Sequence, residues 1–467
     1  MDKYYIDFDF ERPLYIQISK HIKCLIEKND IKEGEKLPSI RKLSSFLDVN
    51  KDTIIKAYNK LQTEGFAVQK IGSGTYAKKR DINLKFKNEY SKMFKNLSPD
   101  LLKDYIDFTG ETACSTYFPV KIFKKVLNEV LDKYGAEAFV YKEGLGFEGL
   151  RKSISYCFWD EKLDKDDILI VSGAQQGIDI ASKALINVND NIIVERPTYI
   201  GALSVFRWRR ANIFEVEIKN DGIDINALEE ILKKNRIKCF YTMSYFQNPT
   251  GFSYSLEKKI KILELAQKYD FYIIEDDYLS ELIYDDKIEY CSFKSLDTND
   301  RVIYIKSFSK IFLPGIRLGY LVSPKKFKEN MQKSKINTDI STSSLMQRAL
   351  DLYINKGLWD EHVNFLNKIY YDKYTYMIKM INHNIKDYVE FYEPGGGFNI
   401  YFKILNDDFD SVKLFYECRR RKVLITPGVL FYKNSSDGNK FFRLGFSQLD
   451  DNKIEEGIKI IADILKC

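Results

Sequence analysis

Histidine is scarce in this sequence. His21, His362 and His383 are the only three, and all lie outside the polar motifs described below, which argues against a histidine-based catalytic triad or a metal centre. No metal site is expected. The seven cysteines are scattered, odd in number and contain no C-x-x-C, which excludes a disulfide framework and a zinc site and points to reduced thiols. Long apolar runs are also missing, since none approaches the ~18 to 20 residues that span a bilayer. The opening MDKYYIDFDFERP alternates charged and aromatic residues instead of building a signal h-region. These absences lead to the expectation of a cytoplasmic protein with no membrane partner.

A large charge excess is lacking too, but its distribution is informative. The 467 residues carry a formal +6, from 73 Lys+Arg and 67 Asp+Glu. Residues 1–80 hold 16 Lys+Arg against 11 Asp+Glu, a net of +5, leaving 57 against 56 for the remaining 387. A small polyanion-binding module on a larger neutral body would give this asymmetry, as would a lysine-rich surface set by genome composition. With 45% hydrophobic and 30% charged residues, the chain is of ordinary globular composition.

The spacing in PLYIQISKHIKCLIEKNDI predicts an amphipathic helix with Leu14, Ile18, Ile22, Leu25 and Ile26 on one face. Ser39 then suits the N-cap of a second helix carrying Ile40, Leu43 and Leu47. Asn50 suits the N-cap of a third, with Ile54, Ala57, Tyr58 and Leu61 buried and Gly65 at its end. Helix, short turn and helix is the geometry that carries a recognition helix into the major groove. FAVQKIGSGTYAKK reads as a hairpin around Gly72-Ser73-Gly74, which would form a wing. A generic helical bundle would share the three helices but needs neither the wing nor the basic excess.

Residues 13–77 resemble the winged helix-turn-helix of GntR-family bacterial regulators. The resemblance implies binding of double-stranded operator DNA through Arg41, through Asn50, Lys51, Asp52 and Thr53 at the start of the recognition helix, and through Gly72 and Gly74 of the wing. Asn50-Lys51 stands where Ser-Arg is frequent in that family, and lysine lacks arginine's rigid bidentate fork.

Residues 80–103 read as a polar, lysine-rich linker between a head (1–79) and a body (104–467), with a short helix around 88–97. In the body, apolar β-rich runs alternate with amphipathic stretches, the pattern of an α/β domain with a mainly parallel sheet. Five of these runs end in polar clusters: ILIV before SGAQQG, IIV before ERPTYIG, CFYTM before SYFQNPTG, FYII before EDDY, and VIYI before KSFSKIFLPGIRLGY. Ligands bind beyond the carboxyl ends of such strands, so the clusters can converge on one pocket.

Each cluster matches one part of pyridoxal 5'-phosphate. Gly173, Ala174 and Gln175 open a helix and can offer backbone N–H groups to a phosphate. Lys310 can form a Schiff base, with Ser307, Ser309 and Arg317 at hand for the phosphate. Asp276 can keep a pyridinium nitrogen protonated, Asn248 and Tyr278 can bond the ring hydroxyl, and Tyr199 can cover the ring face.

The ordered set S-G-A-Q-Q, P-T-Y, N-P-T-G, E-D-D-Y and S-F-S-K-(x)6-R resembles the fold-type I, class I and II aminotransferases over residues 104–467. The resemblance implies helices on both faces of the sheet and a smaller C-terminal α+β subdomain. It selects Asp276 over Asp277, because the ring-nitrogen partner stands two residues before the tyrosine. It also implies that Arg443 grips a substrate carboxylate and that Tyr141 reaches the phosphate in a neighbouring subunit, making a homodimer with shared sites. Winged helix and aminotransferase-like body in this order resemble the MocR-type regulators. The function so implied is a pyridoxal-phosphate-dependent transcription regulator that senses an amino acid or amine. A working aminotransferase with an accessory DNA-binding domain is the alternative.

Overall fold

The computed structural model describes residues 1–466 except 10, 29, 33, 71, 79–82, 97–101, 103, 141–143 and 408. The chain divides into two compact units, residues 1–88 and 89–467.

The first unit contains α1 (Leu14–Glu27), α2 (Ile40–Leu47) and α3 (Lys51–Thr63), followed by the antiparallel strands β1 (Ala67–Lys70) and β2 (Gly74–Ala77). Ser39 Oγ accepts from Lys42 N at 3.3 Å and Asn50 Oδ1 from Asp52 N at 3.2 Å, so both expected caps satisfy first-turn donors. Ile18, Ile22, Leu43, Ile54, Ala57 and Leu61 form the core, joined by Tyr4 and Phe66. The Tyr58 hydroxyl donates to Pro38 O at 2.7 Å, fixing α3 against the turn before α2.

The stretch expected as a linker holds α4 (Leu84–Asn96). Phe86, Tyr90 and Phe94 recur every fourth residue on it, a narrow aromatic stripe masked in the sequence by the intervening lysines. Within the second unit, the Tyr90 ring lies 5.4 Å from that of Phe415, and Tyr416 Oη donates to Glu89 Oε2 at 2.8 Å.

The second unit is built on an eight-stranded sheet: β3 (Ile168–Val171), β4 (Asn191–Arg196), β5 (Asn212–Lys219), β6 (Gly222–Ile223), β7 (Cys239–Thr242), β8 (Tyr272–Asp277), β9 (Val302–Ser307) and β10 (Gly319–Val322). Their spatial order is β3-β10-β9-β8-β7-β4-β5-β6. β9, β8, β7, β4 and β5 pair in parallel, while β10 runs antiparallel to both β9 and β3. The carboxyl ends of β3, β4, β7, β8 and β9 therefore lie on one edge, the arrangement expected from the five motif-bearing runs. Every residue of β3, β7, β8 and β9 is buried, as in a sheet covered on both faces. Gly177 permits close approach of the helix Ala174–Leu185, since a Cβ there would stand 2.7 Å from Ile305.

A smaller four-stranded antiparallel sheet follows, with Val389–Phe391, Asn399–Ile404, Phe441–Gly445 and Thr426–Pro427 in that order. With the helices Ser411–Arg420 and Asp451–Leu465 it forms the C-terminal α+β subdomain. Among the described residues, no helix is long and apolar enough to cross a membrane.

Candidate active site and nucleic-acid face

In the first unit, Arg41, Asn50, Lys51 and Asp52 are exposed, and Thr53 is half-buried. Arg41 follows the cap of α2 and Lys51 the cap of α3, so both sit where a helix N-terminus faces outward. Gly72 and Gly74 have φ of +75° and +124°. That backbone suits glycine and turns the hairpin without side-chain bulk. An exposed arginine and lysine in the first turns of two helices, with a glycine turn in the same unit, suit phosphate oxygens.

In the second unit, β3 ends at Val171, and Ser172-Gly173 leads into the helix Ala174–Leu185. Gly173 has φ +88°, and a Cβ on it would meet the Arg317 guanidinium at 2.9 Å. Arg317 Nη2 donates to Ser172 O at 3.1 Å, which brings a cation to free N–H groups at a helix start. β9 ends at Ser307, whose Oγ accepts from Ser309 N at 3.2 Å. Ser309 Oγ is buried with no hydrogen-bond partner. Ser309 Oγ is thus an unused buried donor, and Arg317 a cation at a helix N-terminus, groups of the kind that suit a phosphate.

Asp276 and Asp277 alternate across β8. Asp276 Oδ2 accepts from Tyr241 Oη at 2.7 Å, while Oδ1 is buried with no partner. Burial raises the Asp276 carboxyl to about 6, with the neighbouring Asp277 pushing the same way against the Tyr241 hydrogen bond. Asp277 instead accepts from Lys306 Nζ at 3.0 Å, Ser280 Oγ at 2.8 Å, Tyr290 Oη at 2.7 Å and Tyr304 Oη at 2.6 Å. Its lone pairs are used, whereas Asp276 keeps one buried oxygen without a donor.

Tyr199 Oη donates to Gln175 Oε1 at 3.3 Å. Burial raises its phenol, with Glu111 and Asp276 close enough to add to the shift. Tyr278 Oη donates to Phe246 O at 2.6 Å, and Lys310 Nζ lies 5.9 Å from the centre of the Tyr278 ring. Tyr141 lies outside the described residues.

Arg443 lies on the strand Phe441–Gly445. Its Nη1 donates to Asn248 Oδ1 at 2.7 Å, and its Nη2 reaches Thr109 O and Thr426 Oγ1, each at 3.3 Å. Nη1 also donates to Glu111 Oε1. Glu111 accepts from Asn248 Nδ2 and Lys310 Nζ too, each at 3.1 Å. Burial favours its neutral form, but Arg443 and then Lys310 outweigh this and hold the carboxyl well below the usual range.

Glu111, Tyr241, Tyr90 and Thr426 escaped the sequence reading. Tyr90 of α4 is hydrogen-bonded to Thr426, the residue that also meets Arg443. Tyr241 sits inside the run CFYTM and reads there as strand filling, and Glu111 stands alone in FTGETA. Period-two alternation around Tyr241 is the one signal that could have set it on the face shared with Asp276.

Sheet, strand-end cradle and lysine define a pyridoxal-phosphate-dependent body of the aminotransferase fold, carried behind a winged helix. The chain belongs to the aminotransferase class I and II family, which it matches over residues 87–461, and residues 14–77 match the gntR family of bacterial regulatory proteins. Together these give the MocR-type architecture. The aromatic-amino-acid aminotransferase 1 of Thermococcus litoralis is 31% identical over 371 residues, covering 78% of this chain and 88% of the relative. The uncharacterized HTH-type transcriptional regulator YcxD of Bacillus subtilis is 27% identical over 459 residues, covering 97% of this chain and 99% of the relative. The kynurenine aminotransferase of Pyrococcus horikoshii superposes with a TM-score of 0.76 at 30% identity, covering 82% of this chain and 94% of that one.

Proposed function

We propose that this chain is a pyridoxal-phosphate-dependent, DNA-binding transcription regulator whose aminotransferase-like body senses an amino acid or amine. One observation carries the reading: a single chain joins a winged helix with exposed Arg41 and Lys51 to a body in which Arg317 stands at a helix start and Ser309 Oγ is a buried donor without a partner, groups suited to a cofactor phosphate. The relatives aligned over nearly the whole chain support it, because a catalyst has no need of a winged helix.

The cofactor, when bound, supplies an aldehyde carbon that reacts with primary amines and a ring that takes up electron density. Ser307, Ser309, Arg317 and the N–H groups following Gly173 would hold its phosphate. Asp276 Oδ1 would hold the ring N–H, with Tyr241 keeping that carboxylate oriented. Asn248 would meet the ring oxygen, Tyr199 would cover the ring, and Lys310 Nζ would present the resident amine and accept and return a proton. Arg41, Asn50, Lys51, Asp52, Thr53, Gly72 and Gly74 meet operator DNA, with lysine and arginine supplying the salt-sensitive share of affinity. Tyr141 completes the phosphate site of a second copy, so that the working unit is a homodimer. A bound effector shifts the population of two states in proportion to its differential affinity for them.

The test is a visible spectrum of the purified protein, with DNA binding followed as candidate amines and amino acids are added. Lys310→Ala should abolish the band of the lysine-linked cofactor, and a variant that keeps the band would overturn the assignment. The alternative, a working aminotransferase, rests on the same candidate residues. High turnover of an amino acid with a 2-oxo acid, without any effector-dependent change in DNA binding, would establish it instead.

A further inference from the structure

Arg443 faces a carboxylate that the chain itself supplies. Glu111 takes hydrogen bonds from Arg443 Nη1, Asn248 Nδ2 and Lys310 Nζ, which is the set of donors an α-amino acid would seek for its own carboxylate beside Lys310. The rest of the guanidinium is also engaged: Nη1 by Asn248 Oδ1, and Nη2 by Thr109 O and Thr426 Oγ1. Only Nε, which is buried, lacks a partner.

The segment that presents Glu111 is held on both sides. Thr109 N and Oγ1 donate to Asp107 Oδ1 at 2.8 and 2.6 Å, and Gly445 N donates to Phe108 O at 2.7 Å. Beyond Glu111, Ala113 N donates to Lys310 O at 2.8 Å, and Gln448 Nε2 donates to Thr112 O at 2.6 Å. A carboxylate held in this way is a fixture of the pocket. A second carboxylate brought to Arg443 would meet its like charge at close range with only the buried Nε left unengaged, and both repulsion and lost hydrogen bonds select against it.

We infer that Glu111 closes the arginine clamp to α-amino acids, so that the ligand sensed is a primary amine whose amine-bearing carbon carries no carboxylate. This rests on the cofactor reading above and narrows its ligand class from amino acid or amine to amine.

The test uses matched pairs on the full-length, cofactor-loaded protein: L-phenylalanine with phenethylamine, and L-leucine with 3-methylbutylamine. In the natural protein, each amine should perturb the visible band at a concentration at least about tenfold below its parent amino acid. Glu111→Ala should shrink or reverse that preference by about tenfold or more, and Glu111→Gln, which keeps the shape but removes the charge, covers the case in which the smaller residue fails to fold. A natural protein that takes amino acids as readily as amines, or variants that keep the natural preference, would overturn the inference.

A second arm needs no cofactor. 3-Phenylpropionate should raise the melting temperature of Glu111→Ala and leave that of the natural protein unchanged; equal stabilisation of both overturns the inference. Absence of any visible band together with the expected outcome of this arm would overturn the cofactor pocket while leaving the role of Glu111 standing.

Discussion

Tyr241 donates its hydroxyl to Asp276 Oδ2 at 2.7 Å and leaves Oδ1 buried without a partner. Burial is the main reason the Asp276 carboxyl rises to about 6. The folded, cofactor-free protein therefore holds this proton to higher pH than the unfolded chain, which releases it near ~4. Between those values the folded state binds more protons, so stability falls as pH rises, by up to about 3 kcal/mol. A ring N–H on Oδ1 favours the charged form and removes the loss. The melting-temperature gain on adding cofactor is accordingly expected to be larger at pH 7.5 than at pH 5, and Asp276→Asn should flatten that difference. Glu195, raised by burial to about 7, has the same sign with or without cofactor and cancels from the comparison.

Gly173→Ala tests the phosphate cradle. The added Cβ would stand 2.9 Å from Arg317 at a φ of +88°, straining the loop and displacing the guanidinium together. Cofactor affinity, measured by titrating the cofactor-free protein and reading the visible band, is expected to drop at least about tenfold, equivalent to roughly 1.4 kcal/mol. DNA binding in the absence of effector should be unaffected.

Arg41 and Lys51 are exposed, so their removal costs the fold little. Arg41→Ala and Lys51→Ala are each expected to weaken DNA binding about tenfold or more and to lower the slope of log affinity against log salt by about 1 for each phosphate contact removed. Ser39→Ala, by contrast, removes the cap of α2 and should cost about 1 kcal/mol of stability in thermal unfolding.

Tyr90→Phe removes the hydrogen bond to Thr426 and with it the tie between α4 and the residue beneath Arg443. The visible band should remain. The change in DNA affinity caused by effector should shrink at least about fivefold, measured as the ratio of affinities with and without ligand. An unchanged ratio would show that the signal leaves the site by another route.

Much of the fold is legible in the residues, because local periodicity and capping act over a few positions. The stripes of α1, α2 and α3, the caps Ser39 and Asn50, and the five buried runs ending in polar motifs all follow from spacing alone. Long-range placement is a different matter. β10 is inserted antiparallel between β9 and β3, although nothing in GYLV distinguishes it from its parallel neighbours. Phe86, Tyr90 and Phe94 look like stray aromatics among lysines until Phe415 is seen against Tyr90.

The sequence by itself determined that a winged helix precedes a cofactor-binding body and that Lys310 and Asp276 are candidates for its site, because motifs at strand ends are local patterns; Arg443 became a candidate through the resemblance to class I and II aminotransferases. Only the tertiary structure decided what stands opposite them. Glu111 and Arg443 are 332 residues apart, and a lone glutamate carries no periodicity that could announce its partner. Their pairing exists because the strand Phe441–Gly445 and the loop after Phe108 are fixed side by side, and that is a property of packing.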